Sequence, residues 1–359
     1  MCECALLIVV LTGLVMVFLA AQATSGQSAF PGKQWDRRDP ADLGLDGRRL
    51  EEFAAFIGAG SDDPVAKPKD RRIGCVVRNG YLAHAWGDPQ AKFDWYSSSK
   101  PVVSTLLFFA VDKGLLPSVD ARIVDLGWAL APKDQPMTFA HLADQVSGYA
   151  LAEAPGAAWS YNDLALQLYV LSLEKGFGRP LSQAAQEYLA PLSLEDGDVF
   201  DRRRRVVTSA RDFARLGWFW MNRGRWAGQQ VLPQAYLDAY MRPHVPPDLP
   251  RSVTRSDPND YLGIGSYGGG FNQGPVGPGV YGFNWWFNGT IPRNGQVLVP
   301  AAPLDMVMAL GARGSYMAML PSEGLLVAAQ GDWGKVDELD PLNRARFNQA
   351  LELLMSAVR

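Results

Sequence analysis

Residues 95–113 read WYSSSKPVVSTLLFFAVDK: three serines, a lysine and a proline ahead of a long apolar stretch. Only Ser97 has a lysine three positions on, Lys100; Ser98 and Ser99 do not. On a helix, positions i and i+3 project from one face, so a hydroxyl and an amine at this spacing can meet. A serine hydroxyl becomes a useful nucleophile when a base takes its proton. A lysine can be that base if burial and nearby positive charge lower its pKa. Pro101 suits a first helical turn, where no backbone donor is needed. Ser97 would then lie at a helix N-terminus, where free N–H groups and the dipole favour a developing oxyanion. The chemistry pointed to is acyl transfer through a serine ester. The spacing alone is a weak signal. Ser172-Leu-Glu-Lys175 repeats it late in an amphipathic stretch and reads as surface.

Three other segments give Ser97 its context: TFAHLADQVSGY at 138–149, PGAAWSYNDLALQL at 155–168 and GARGSYMAMLPSEGLLVAAQ at 311–330. The order is a Ser-x-x-Lys, an HL…SG segment, a Pro-Gly with Tyr161 five residues after the glycine, and a strand motif near the end. Together these resemble the serine β-lactamase-like superfamily, over about residues 40–357. That group includes class C β-lactamases, penicillin-binding DD-peptidases, and related esterases and 6-aminohexanoate-dimer hydrolases.

The resemblance implies a role for each matching residue. Ser97 matches the acylated nucleophile, Lys100 its general base, and Tyr161 the tyrosine that shuttles protons to the leaving group and the deacylating water. A tyrosine ordinarily titrates near 10, so a cation such as Lys100 would have to stabilise its phenolate. Asp163 stands where the family most often has Asn. As a carboxylate it would pair with Lys100, keep it charged, oppose the base role and shift proton transfer toward Tyr161. The family's third motif, Lys-Thr-Gly or His-x-Gly on a strand, aligns with Ala312-Arg313-Gly314. Arg313 would replace the missing charge from the next position, though a strand would point it to the opposite face. The backbone N–H of Ser315 would join that of Ser97 as an oxyanion hole.

The remaining candidates have plainer readings. His141 reads as a hydrogen-bonded helix residue and Ser147-Gly148 as a turn. Trp159 reads as core or pocket wall. Trp285 and Trp286, in a Gly-rich loop, are possible cleft-lining residues. GIGSYGGG lacks the Gly-Lys-Ser/Thr of a phosphate loop. The RRRR run at 202–205 reads as a solvated turn.

These residues need a scaffold. The chain has 359 residues, 48% hydrophobic and 20% charged, with a net charge of −3. That suits one large domain or two intergrown ones and offers no basic excess for nucleic acid. Three cysteines give no disulfide framework, and Cys75 reads as a buried thiol. Three distant histidines give no zinc spacing, so no metal and no cofactor is expected.

Residues 1–23 read as a signal peptide ending in Ala21-Gln22-Ala23, or as an uncleaved N-terminal anchor. Either places the body outside the cytoplasmic membrane, periplasmic or extracellular, with membrane contact only through that segment. Residues 24–40 read as a linker, and the Asp-, Pro- and Lys-rich residues 60–71 as a loop.

A helix is expected over 46–57 with Asp46 as N-cap, and a hairpin follows at 73–87 through Asn79-Gly80. Helices are expected over much of 97–240, including Leu164–Lys175, Pro180–Leu189, and one after Ser209 and Asp212, which resemble a capping box. LLFFAVDKG would end at a C-cap glycine, Gly114. Then MVMALGARG, SYMAML and LLVAAQGDW read as three strands and 340–358 as an amphipathic helix.

The expected class is α+β, with an antiparallel sheet from the N- and C-terminal segments. The terminal helices flank it and a mostly helical lobe is inserted. The sheet subdomain takes 41–96 plus 297–359, the helical subdomain 97–245, and a Gly/Pro-rich loop region near the cleft 246–296. The expected function is an exported serine hydrolase acting on an ester or amide, with a small-molecule or peptide-like substrate. The alternatives are a β-lactamase or DD-carboxypeptidase, and a catalytically silent homologue that binds cell-wall fragments or peptides. An unrelated α+β protein with coincidental motifs would keep Ser97 and Tyr161 far apart.

Overall fold

A computed structural model describes residues 29–359 except 59–72, 89, 198–199, 202–203, 273, 275, 292–294 and 335–340. The 1–23 run and the 60–71 loop therefore lie outside the described residues. Among those described, no helix is long and apolar enough to cross a membrane.

The helices are α1 (Gly47–Gly58), α2 (Lys100–Asp112), α3 (Phe139–Ala143), α4 (Asp163–Phe177), α5 (Leu181–Tyr188), α6 (Ala210–Met221), α7 (Gln234–Tyr240) and α8 (Pro341–Met355). The strands are β1 (Ile73–Arg78), β2 (Tyr81–Trp86), β3 (Phe93–Asp94), β4 (Val207–Thr208), β5 (Arg225–Trp226), β6 (Gln229–Gln230), β7 (Tyr281–Gly282), β8 (Trp285–Phe287), β9 (Val307–Gly311), β10 (Ser315–Leu320) and β11 (Leu325–Gln330).

One seven-stranded sheet organises the molecule, in the order β2-β1-β11-β10-β9-β8-β7. Its pairings are antiparallel, and β1 from the N-terminal segment lies against β11 from the C-terminal one. The β1–β2 hairpin turns at Asn79 and Gly80, both at positive φ, as a type I′ turn requires. β10 and β11 are buried on both faces. That is why they read as continuous apolar runs rather than as alternation.

Their alternate side chains feed two cores. Tyr316, Ala318, Leu320, Leu325, Val327 and Ala329 join α1 and α8; Met317, Met319, Leu326 and Ala328 join α2, α4 and α6. Asp46 caps α1, its Oδ1 accepting from Arg48 N and Arg49 N. α6 lies close on the sheet. A Cβ on its Gly217 would come within 2.4 Å of both Leu326 and Met317.

Three expectations change. β7 and β8 are strands that extend the sheet, although 246–296 reads as loop. The run Trp285–Phe287 pairs with β9, a partner from 20 residues further on that flanking glycines and prolines do not reveal. Ser209 does cap α6 by accepting from Asp212 N. Asp212 does not complete the box, because its carboxylate accepts from Glu195 N and Asp196 N instead. Arg205 is a partly buried tie rather than a solvated turn residue, pairing with Asp94 at 2.7 Å.

Candidate active site

The three consecutive serines divide their work. Residues Tyr96–Ser99 form a 3-10 turn that runs into α2 at Lys100, with Pro101 in the first turn. Trp95 anchors this turn. It is buried, stacked 3.9 Å from the Phe213 ring, and donates Nε1–H to Thr208 O at 3.1 Å. Ser98 Oγ shares its proton between Ala309 O, at 3.1 Å, and Ser315 O, which ties the turn to β9 and β10. Ser99 Oγ accepts from Val206 N at 3.1 Å. Ser98 and Ser99 are wholly buried struts, and Ser97 alone of the three is only half-buried.

Tyr161 arrives on the segment leading into α4, clamped on both sides. Asn162 caps α4, its Oδ1 accepting from Leu164 N and Ala165 N, and its Nδ2 donates to Tyr149 O at 2.9 Å. Gln145 holds the same segment, with its Oε1 accepting from Asn162 N and its backbone O from Ser160 N. The next residue, Asp163, opens α4, where the helix dipole favours a carboxylate. The first turns of α2 and α4 thus meet.

Lys100 is the centre of that meeting. Its side chain is 1% exposed, its Nζ lies 2.5 Å from Asp163 Oδ1, and the Asp163 side chain is 7% exposed. The same Nζ sits 3.7 Å from the centroid of the Tyr161 ring. A desolvated cation–π contact of this kind is worth about 2 kcal/mol. Burial alone would push Lys100 down, but the Asp163 charge and Tyr161 outweigh it and hold Lys100 above the ordinary lysine range. Burial also raises Tyr161, against the lowering pull of Lys100 and of side-chain hydrogen bonds with Lys100 and Ser97. Both shifts favour the protonated forms, a charged Lys100 and a neutral Tyr161. Asp163 is the carboxylate of the cluster, paired with Lys100.

The structure therefore brings Ser97, Lys100, Tyr161 and Asp163 together, from segments more than 60 residues apart in sequence. The third-motif residues behave differently. Ala312–Gly314 is a 3-10 turn between β9 and β10, not part of a strand. Arg313 is in the left-handed region (φ 61°), so strand alternation does not govern it. Its exposed guanidinium lies 5.6 Å from the ring of Tyr96, beside the nucleophile. Gly314 is also left-handed, and a Cβ there would lie 1.7 Å from Gly331 O. The Ser315 N–H donates to Ala312 O, which closes the turn. It is not free to complete an oxyanion hole with Ser97 as expected. Ser315 Oγ is also engaged, accepting from Gln330 Nε2 at 2.7 Å.

The tryptophans separate as well. Trp159 and Trp286 enclose Tyr161, with centroids 6.5 Å and 5.9 Å from its ring, and Tyr281 completes the cage at 6.2 Å. Such aromatic pairs each add about 0.5–1.5 kcal/mol beyond area burial. Trp285 is wholly buried and apart from this cage. Successive strand residues face opposite ways, so it packs in the other core against Phe108 and Trp220. His141 is a hydrogen-bonded helix residue as read, and the structure shows its bond to be a cap, with Nδ1 accepting from Thr138 N. The second Ser-x-x-Lys is not a surface pair: Ser172 is wholly buried. Sequence reasoning missed Tyr281, Gln145, Asn162 and Asn284. Of these only Asn162, an Asn before an apolar helical run, carried a local signal, that of an N-cap.

A family model described as Beta-lactamase matches residues 74–344, well over half of the chain. The chain belongs to the beta-lactamase family. That membership supports a serine hydrolase in general terms. No curated protein matches the chain. Solved structures share the fold at low identity. A Bacteroides dorei DSM 17855 protein provisionally called a beta-lactamase has a TM-score of 0.62 at 16% identity, over 88% of this chain and 99% of its own. A Bacillus anthracis protein provisionally called a 6-aminohexanoate-dimer hydrolase scores 0.58 at 15% identity, over 91% and 89%. EstCE1, a hydrolase with promiscuous acyltransferase activity, scores 0.57 at 15% identity, over 85% and 99%.

Proposed function

We propose that this family member hydrolyses an ester or amide through an acyl-enzyme on Ser97, and that it works after export. The observation that carries the reading is the convergence of Ser97, Lys100 and Tyr161 in a beta-lactamase fold. The uncharged run before residue 24 is the reason to place the activity outside the cytoplasmic membrane.

Proton traffic follows from the charge state of the cluster. A lysine held charged takes no proton from Ser97 until it passes on its own. Asp163, at 2.5 Å, is there to receive it. In acylation the Ser97 Oγ–H bond breaks as Oγ bonds to the acyl carbon. The proton moves through Tyr161 to Lys100, and a Lys100 proton moves to Asp163. The negative charge of Asp163 is thereby exchanged for that of the tetrahedral oxyanion. When the intermediate collapses the leaving group departs and takes the proton back along the same path. A buried relay of this kind suits general acid–base catalysis, typically worth about 10²–10⁴-fold.

The turn at Ala312–Gly314 lacks the family's Lys or His and has Arg313 one position along instead; on that departure we rank an ester or amide above a β-lactam or a cell-wall peptide. The fold likeness to EstCE1 and to the dimer-hydrolase neighbour is compatible with that ranking.

One second reading has its own observation. The committed Ser315 N–H and the fixed Lys100–Asp163 pair also fit a silent homologue that binds cell-wall fragments. Incubation with p-nitrophenyl acetate, nitrocefin and a fluorescent penicillin, followed by intact-mass analysis, separates the readings. An adduct mapped to Ser97 and absent from Ser97→Ala supports the hydrolase. No adduct with any of the three supports the binder.

A further inference from the structure

Behind the cluster lies a second set of polar groups that the relay does not use. β7 and β8 are joined by Phe283 and Asn284, both at positive φ (45° and 71°) although neither is glycine. A two-residue turn of this form normally recruits Gly or Asn-Gly. Here it is buried, and its side chain at 284 is fully employed. Asn284 Nδ2 donates to Ser104 Oγ at 2.9 Å, and its Oδ1 accepts from Tyr281 O–H at 3.1 Å. The backbone of the turn is held too: Asn284 N donates to Ala143 O at 3.1 Å and Phe283 N to Asp144 Oδ1 at 2.7 Å.

Each partner of Asn284 leads to the reacting groups. Ser104 lies four residues after Lys100, on the same face of α2 and one turn further in. It also accepts from Tyr169 O–H on α4, the helix that Asp163 opens. Tyr281 sets its ring edge-to-face against Tyr161 at 6.2 Å and against Trp286 at 4.8 Å. The contacts form a closed circuit: Lys100 over Tyr161, Tyr161 on Tyr281, Tyr281 to Asn284, Asn284 to Ser104, and Ser104 through one helical turn back to Lys100.

We propose that Asn284 is a positioning residue for the reaction, fixing Lys100 and Tyr161 relative to each other through Ser104 on one side and Tyr281 on the other. This rests on the reading of Ser97 as the acylated nucleophile. A glycine at 284 would suit the backbone better. Asparagine tolerates this left-handed position and, unlike glycine, engages both of its side-chain polar atoms inward, which is what a positioning role requires. Asn284 touches no reacting atom and acts through its neighbours.

The test measures acylation with p-nitrophenyl acetate, followed by stopped-flow and intact mass, as a function of pH. Wild type must be acylated and Ser97→Ala not; failure there overturns the nucleophile reading itself and is seen before any other variant is compared. Asn284→Gly keeps the turn conformation but removes the partner of Ser104 Oγ and of the Tyr281 hydroxyl, so its Tm should fall while the protein stays folded at the assay temperature. Its acylation rate should fall about 10-fold or more, with KM within about twofold and the pH–rate limb displaced by about half a unit or more. Tyr281→Phe keeps the ring and the backbone and deletes only the hydroxyl; it should fall in the same direction by a smaller factor. The two changes combined should lose less than the product of the single losses, since they break one circuit. Unchanged rate and pH profile in a folded Asn284→Gly or Tyr281→Phe overturns the proposal. So does a rate loss in which the pH limb stays where it is in wild type, the mark of a merely structural change.

Discussion

At the head of α2 a serine and a lysine three residues apart, Ser97 and Lys100, turn to a shared partner in Tyr161. Late in α4 a second pair at the same spacing, Ser172 and Lys175, turn away from each other. Positions i and i+3 are about 60° apart around a helix axis, so the border between core and solvent can run between them. In α4 it does. Ser172 is wholly buried with no hydrogen-bond partner for its hydroxyl, while Lys175 is exposed, reaching Leu126 O and lying 4.6 Å over the Trp128 ring. At α2 Lys100 is buried and Ser97 half-buried beside it, and the start of α4 with the residue before its cap delivers a carboxylate and a phenol to the same side. The spacing permits a reactive pair; what a second helix end brings to it decides.

The sharpest way to break this comparison is to mutate both serines. Ser97→Ala should abolish adduct formation with an acylating ester, a loss of about 10³-fold or more. Ser172→Ala should leave the rate within about twofold, because nothing near Ser172 can take its proton. Equal losses in the two variants, read by intact mass, would sink the argument from environment.

Asp163→Asn comes next. Asparagine keeps the shape and loses the proton acceptor. Acylation near pH 7 should fall by about 10²-fold. It should recover as pH rises, because without the Asp163 charge the burial of Lys100 lowers its pKa and frees it to act alone. An Asp163→Asn protein that is faster than wild type at pH 7 would show that the carboxylate only restrains Lys100.

Stability should divide the two lysines in the same way. Lys100→Met leaves Asp163 buried without its cation, a loss of about 3–5 kcal/mol. Lys175→Met alters an exposed contact and should stay within about 0.5 kcal/mol. Urea unfolding of the two variants reads the difference directly.

What could be read without coordinates follows the same division between local and distant causes. β10 and β11 were legible as SYMAML and LLVAAQ, because strands covered on both faces are continuous apolar runs. The β1–β2 hairpin was legible in Asn79-Gly80, which supplies positive φ locally. β8 was not, since Trp285–Phe287 becomes a strand only where β9 arrives to pair with it. Ser97, Lys100, Tyr161 and Asp163 stood out through fixed short spacings and a family pattern. Asn284 and Ser104 did not. They are 180 residues apart, and no spacing rule links a serine inside an apolar helix to an asparagine in a hairpin turn. The Ser315 N–H was misjudged for a related reason. A three-residue turn takes up the donor, and GARGS carries no plain sign of whether it is turn or strand.

The smallest expected effect extends the comparison to a carboxylate without a cation. Asp163 has Lys100; Asp144, at the end of α3, accepts from the Phe283 N–H at 2.7 Å with no cation beside it among the described residues, and Asp120 adds a like charge. Burial pushes Asp144 up to about 7, whereas an aspartate in an unfolded chain titrates near 3.9. Between those values the unfolded state binds fewer protons than the folded one, so stability falls as pH rises through the window. Above pH 7 the folded protein carries the whole cost of ionising a half-buried acid. Asp144→Asn keeps an oxygen for the Phe283 N–H and removes the charge. It should raise Tm by about 2–4 °C at pH 8 and by little at pH 4.5, where folded Asp144 is already neutral. The same gain at both pH values would mean that the asparagine acts by packing, and the contrast between the two acids would lose its electrostatic basis.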